Sequence, residues 1–299
     1  MSAPHARVFA TIAFDRPVRS LLSRTSAFAL LLLIIMTNFA LQPLTEPDFG
    51  WHLRTGLDVL DNGMPLPAVD PYSHTMPDWP WVEHAWLTDV VIAMLYSLFG
   101  ALAVIMLFAA VTVSAWLISA AQASAVLTFR WLACTLSLWV ALPYLGARTQ
   151  LVTLLGLALL TLVLKRWQEG QASARWWIPP LFLLWANLHG GFIAGLLVLI
   201  LVIGTSAIIR WLSTRQLFFT RLSDEPVFST SDLKQLAVLT GLSAGLTLVN
   251  PYGWRLHAEI VDSLLNGFML ETLQEWQPLS MAGLAGRRLA PKLPSPSST

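Results

Sequence analysis

Glu46, Asp48 and His52 stand within seven positions directly after an apolar run, and carboxylates beside an imidazole are the groups that proton transfer needs. The same connection continues with Asp70, His74, Asp78, Glu83 and His84. Arg148 and Gln150 open a later apolar run, Asn187 and His189 close another, and Asn250, Tyr252 and Arg255 follow the last. Glu275 and Trp276 come further on. A carboxylate next to an acceptor hydroxyl takes its proton as the oxygen attacks, and a guanidinium offers bidentate contact to a phosphate. No glycine-rich nucleotide loop accompanies these groups, which favours a lipid-linked substrate over a nucleotide-linked one. His52, His84 and His189 lack a fixed ligand spacing such as H-E-x-x-H. The sequence therefore points to no clear metal site, although a divalent cation as cofactor stays open.

Each residue has a plainer reading as well. Glu46 and Asp48 can be solvated loop acids, and Trp51, Trp79, Trp81 and Trp86 can be an interfacial belt rather than platforms for sugar rings. Asp70, followed by Pro71, can simply form a turn. Glu83 and His84 either pair with each other or line a site. Arg148 can snorkel to the headgroups, "NLHGGF" can be close helix packing through glycines, and "NPYGW" reads as a helix stop with a turn. Cys134, the single cysteine, lies in an apolar run and is expected to serve packing.

The elements that must position these groups are set by composition. The chain has 299 residues, of which 56% are apolar and 12% charged, with fourteen tryptophans and a mean hydropathy of +0.63. Soluble domains carry about 25% charged residues, so an integral membrane protein is expected. The net charge of +1 gives no electrostatic footprint for nucleic acid. Apolar runs occupy about 26–43, 101–121, 126–145, 149–166, 176–188, 191–211 and 234–250, and about 17 to 25 residues are needed to span a bilayer. The run 86–99 is too short to cross unaided.

Positive charge gives an orientation. Arg16, Arg19 and Arg24 precede the first run, Lys165, Arg166 and Arg175 lie between the fourth and fifth, and Arg210, Arg215, Arg221 and Lys234 between the sixth and seventh. Those segments are expected in the cytoplasm. If 86–99 crossed, the cations near 165 would be forced outside, so parity makes it interfacial or re-entrant. The expected fold is thus an all-α polytopic bundle of about seven transmembrane helices, with the amino terminus cytoplasmic. Residues 44–100 form a large extracytoplasmic loop bearing an interfacial helix. Residues 1–280 read as a single membrane domain and 281–299 as a disordered tail. The first run is longer than a signal-peptide core and no A-x-A site follows cleanly, so it is expected to be retained. With this topology the polar residues above gather at the outer face, where ionisable groups at membrane depth usually line a cavity or a site.

The ordered segments "EPDFGWHLRTG", "GMPLPAVDPYSHT", "WPWVEHAWLTDV", "ARTQL", "WANLHGGF", "NPYGWRL" and "EWQP" resemble a bacterial group of multi-spanning membrane proteins. That group is similar to the GT-C superfamily of glycosyltransferases, which use polyprenyl-phosphate-linked sugars, and the likeness runs over most of residues 26–280. It implies sugar transfer on the outer face of the bacterial cytoplasmic (inner) membrane, with a lipid-linked sugar donor and membrane lipids as partners. In GT-C enzymes an acid just after the first helix is the catalytic base or a metal-associated acid. By position that is Asp48, with Glu46 second. His52, Glu83, His84, Arg148, Asn187 and His189 are the expected substrate-binding residues, with Arg148 and His189 toward the donor phosphate. Members of the group continue through further transmembrane helices, whereas this chain ends "MAGLAGRRLAPKLPSPSST", so a chain truncated at its carboxyl end is expected. Two other classes are weighed against transfer. A non-catalytic or truncated subunit would tolerate loss of Asp48, and a transporter would place its acids near the midplane in paired halves, of which the sequence has none. The sequence sets no oligomeric state.

Overall fold

A computed structural model describes residues 24–61, 63, 66–76, 78–123, 127–141, 144–214 and 228–267. Arg16, Arg19, Arg215, Arg221, Glu275, Trp276 and the tail 281–299 lie outside the described residues. Among the described residues the regular elements are helices, with one isolated bridge between Val69 and Pro80. In chain order they are α1 (Arg24–Ala40), α2 (Phe49–Asp61), α3 (Trp86–Phe99), α4 (Ala101–Gln122), α5 (Leu127–Ala141) and α6 (Gln150–Gln168). A 3₁₀ turn (Ala172–Trp177) then leads to α7 (Ile178–Leu188), α8 (Phe192–Thr214), α9 (Thr230–Leu246) and α10 (Trp254–Leu265).

Three helices, Ala101–Gln122, Gln150–Gln168 and Phe192–Ser213, are long and apolar enough to cross a membrane, which supports a membrane protein. A helix satisfies its own backbone polar groups, the condition hydrocarbon imposes. Large apolar side chains on these helices face outward: Leu102 is 67% exposed and Ile200 57%. Helix α3 has 14 residues, so at 1.5 Å per residue it measures roughly 21 Å against a hydrocarbon core of about 30 Å. Gly100, at φ +75°, ends it, and α4 starts at the next residue. Pro179 and Pro180 sit in the first turn of α7, where no intrahelical N–H is lost. The apolar run 176–188 is therefore entered through a tighter turn rather than as one continuous helix.

The chain divides into a larger compact unit, residues 1–253, and a smaller one, residues 254–299. In the smaller unit the described residues form α10, with Leu256 buried. In the larger unit close packing turns on glycines. A Cβ on Gly156 or Gly195 would fall 2.6 Å from the Trp185 ring, and one on Gly191 would fall 2.0 Å from Thr153 Oγ1. Trp185, on α7, thus sits directly against the backbones of α6 and α8. Helix α2 meets α3 in the same way, since a Cβ on Gly56 would lie 2.0 Å from the Asp89 carbonyl oxygen. These contacts bring the start of α3 and the end of α7 to one place. Thr88 Oγ1 donates to Leu188 O at 2.6 Å, and Trp86 Nε1 donates to Asn187 Oδ1 at 3.1 Å.

Candidate functional site

Helix α2 begins four residues after Thr45, with Asp48 exposed just before it and His52 on its first turn, buried. The helix buries one face, Phe49, His52, Gly56 and Val59, at the i, i+3, i+7 and i+10 spacing of a helix. His52 is 4% exposed, and its ring lies 3.6 Å from the Trp51 ring. Its Nδ1 is 2.7 Å from Asp89 Oδ1 on α3, a contact made possible by the approach at Gly56. Asp89 is fully buried, and its second oxygen, Oδ2, has no hydrogen-bond partner.

The connection between α2 and α3 folds back over this pair. Asp70 Oδ1 accepts the backbone N–H groups of Tyr72 and Ser73 at 2.8 and 3.0 Å. That is a turn-forming use of the carboxylate. Tyr72 Oη then meets Thr55 Oγ1 at 2.9 Å on α2, which pins the loop. Glu83 enters the cluster 1% exposed, accepting from Ala85 N–H at 3.2 Å and from Trp81 Nε1 at 3.3 Å. His84 Nδ1 lies 4.0 Å from Glu83 Oε1, and 38% of the His84 side chain stays exposed. The His84 ring is 6.3 Å from that of His52 and 5.4 Å from that of His189.

His189 follows α7, where the backbone turns extended. Gly191 N–H donates to His189 Nδ1 at 3.0 Å, with Thr153 Oγ1 2.8 Å away from the same nitrogen. That nitrogen is therefore an acceptor, and the neutral ring carries its proton on Nε2. Trp185 Nε1 donates to Thr153 Oγ1 at 3.3 Å, which fixes the hydroxyl in turn.

The electrostatics follow from burial. Desolvation lowers His52 to about 4 against the opposing charges of Glu83 and Asp48. It raises Glu83 to about 8, helped by the Asp89 charge. Packing, then the charge of His52, lowers His84, while Asp48 opposes. Burial and then the charges of His84 and His52 lower His189. At neutral pH the three rings are uncharged and Glu83 holds a proton. The arrangement can store and pass protons between carboxyl and imidazole groups without placing net charge in the packed interior.

One consequence concerns stability in the absence of metal. A carboxyl group whose pKa is raised in the folded state keeps the proton that the unfolded chain releases from about 4.5 upward, so stability falls as pH rises toward 8. Below about pH 6.5 the three lowered histidines oppose this, because the unfolded chain protonates them and the folded chain does not, so thermal unfolding in detergent with chelator should show the wild-type midpoint dropping between about pH 6.5 and about 8. Glu83→Gln, which keeps the shape of the protonated acid, should make that drop shallower, and the remainder belongs to Asp89, whose carboxyl is also raised by burial.

Of the residues singled out by sequence, the structure groups His52, Glu83, His84 and His189, with the Asp48 charge acting on His52 and His84. Glu46 and Arg148 are used differently: they pair at 2.7 Å, with only 16% and 12% of their side chains exposed. This joins the segment after α1 to the entry of α6. Asn187 is tied into the frame, its Nδ2 donating to Leu183 O and Val249 O at 2.8 and 2.9 Å and its Oδ1 accepting from Trp86. Asn250 closes the "NPYG" turn, accepting Tyr252 N–H at 2.8 Å and donating to Thr247 O at 2.8 Å. Asp89 was absent from the sequence-derived set. Its signal was there, a lone acid inside the apolar stretch "AWLTDVVIAML".

Searches against family models, curated proteins and solved structures find no match to the chain.

Proposed function

We propose that the chain is a membrane glycosyltransferase that moves a sugar from a polyprenyl-phosphate donor to an acceptor at the outer face of the bacterial cytoplasmic membrane. The observation that carries this reading is the placement of Asp48: an exposed carboxylate at the head of the helix that follows α1, beside a buried carboxyl–imidazole cluster. A solvated loop acid has no need of such a setting. In this reading about seven segments cross the membrane, the amino terminus and the Lys/Arg-rich connections are cytoplasmic, and α2, α3 and their connection lie outside.

Asp48 accepts the proton of the acceptor hydroxyl as it attacks the anomeric carbon, while the lipid phosphate departs. Glu46 is the second candidate, because the Arg148 guanidinium already holds its carboxylate. The leaving phosphate needs charge stabilisation more than a proton, and Arg148 supplies it when the phosphate competes with Glu46 for the guanidinium. His84, part-exposed, and His189, with ring centres 5.4 Å apart, are the further candidates for contact with the substrate.

The test uses the chain in liposomes with a radiolabelled polyprenyl-phosphate sugar, and follows release of label from the lipid. Label should leave the lipid in the presence of wild type. Arg148→Ala should raise the donor KM about tenfold or more, because a charge-assisted bidentate contact is worth at least about 1.4 kcal/mol. No release by wild type under any acceptor condition, including water, would remove the proposal.

A further inference from the structure

We propose that His52, Glu83 and Asp89 form a binding site for one divalent transition-metal ion, of the Mn²⁺ or Zn²⁺ class. One ligand atom from each residue lies within 4.8 Å of the others, and all three residues are buried. The site does not depend on whether the chain transfers sugars, and Asp48, the acid placed in that chemistry, is not part of it.

Three observations converge. No amide, indole or hydroxyl donor reaches the buried Asp89 Oδ2, so the Asp89 carboxyl relies on the neighbouring Glu83 carboxyl, and a buried carboxylate oxygen without a donor costs about 1–3 kcal/mol or more. An ion bound to it removes that cost. Among the described residues the ion pairs of Glu83 and Asp89 are with histidines alone, so no Lys or Arg competes for the two acids, and one dication that displaces their protons is matched in charge by the two carboxylates. Finally, the ligands are held from behind. Ala85 N–H and Trp81 Nε1 orient the Glu83 carboxylate, and the Trp51 ring fixes the plane of His52. Oriented outer partners of this kind are the mark of a metal site rather than a chance cluster of acids.

The donor set selects the ion. One imidazole nitrogen and two carboxylates suit Mn²⁺, Zn²⁺ or Fe²⁺, while Ca²⁺ takes six to eight oxygens and Mg²⁺ keeps most of its waters. Three protein ligands leave coordination positions open. On binding, the ion takes the place of the proton now shared between His52 Nδ1 and Asp89 Oδ1, 2.7 Å apart, and that pair opens by a few tenths of an ångström.

The test is direct binding of Mn²⁺ and of Zn²⁺ to the purified full chain in detergent after stripping with chelator. Binding is read by equilibrium dialysis with elemental analysis, by Mn²⁺ electron paramagnetic resonance and by thermal unfolding. One ion per chain and a raised unfolding midpoint are expected. Asp89→Asn and Glu83→Gln should each weaken binding about 10- to 100-fold or more and abolish the thermal shift, and Glu169→Gln, a surface acid, should change neither. Glu83→Gln retains the shape of the protonated acid, so it reports on binding even where Asp89→Asn fails to fold. No stoichiometric ion on wild type, or equal affinity in wild type and Glu83→Gln, overturns the site.

Discussion

Gly56→Ala is expected to destabilise the protein by about 3 kcal/mol and to break the contact between His52 and Asp89. A methyl group at this position would lie 2.0 Å from the Asp89 carbonyl oxygen, 2.6 Å from its carbonyl carbon and 2.7 Å from the Ala93 Cβ. Backbone atoms cannot swing aside as a side-chain tip does, so α2 and α3 must separate. Overpacking of this kind costs about 1–3 kcal/mol, and a rigid obstacle puts it at the upper end. Gly50, on the same helix, has nothing within 4 Å of its own Cβ position. Gly50→Ala should therefore be neutral, or stabilising by up to about 1 kcal/mol through helix propensity. Thermal unfolding of both variants in one detergent separates the two outcomes. Equal stability of Gly56→Ala and wild type would mean that α2 and α3 do not pack through this glycine.

Asp48→Asn is expected to lower sugar transfer by about 10² or more in turnover while leaving donor binding nearly unchanged. The amide keeps the size of the side chain but cannot accept a proton, and positioned general-base help is worth about 10² to 10⁴ in rate. The loss belongs to the transition state, so it falls on kcat more than on KM. Asp48 is exposed, and its backbone carbonyl accepts the His52 N–H at 3.2 Å. The substitution leaves that backbone bond in place, and the fold should survive it.

The helices were the most legible part of the sequence, because a bilayer leaves few solutions for a long apolar run. The runs near 101–121, 149–166 and 191–211 became α4, α6 and α8 almost residue for residue. The gathering of His52, Glu83, His84 and His189 was legible as polar residues interrupting apolar patterns. Which of them touch was not. The bond from His52 to Asp89 spans 37 residues and depends on Gly56, whose role appears only when two backbones are set side by side. Asn187 read as a substrate-binding group at a helix end, but the indole of Trp86 and the carbonyl of Val249 take up its amide. Arg148 read as a cation facing phosphate, and its pairing with Glu46 is invisible to local spacing. Periodicity reveals which face a residue shares, not which partner reaches it across the bundle.

The most direct measurement is transfer of radiolabelled sugar from its polyprenyl phosphate by wild type, Asp48→Asn and Glu46→Gln in matched liposomes, with kcat and donor KM determined for each. The predicted result is a kcat lower by about 10² or more for Asp48→Asn at nearly unchanged KM. For Glu46→Gln, which leaves Arg148 without its carboxylate partner, the effect should fall mainly on donor KM. Active wild type with both substitutions at full kcat would contradict the catalytic role of this stretch, and loss of kcat in Glu46→Gln alone would move the base from Asp48 to Glu46.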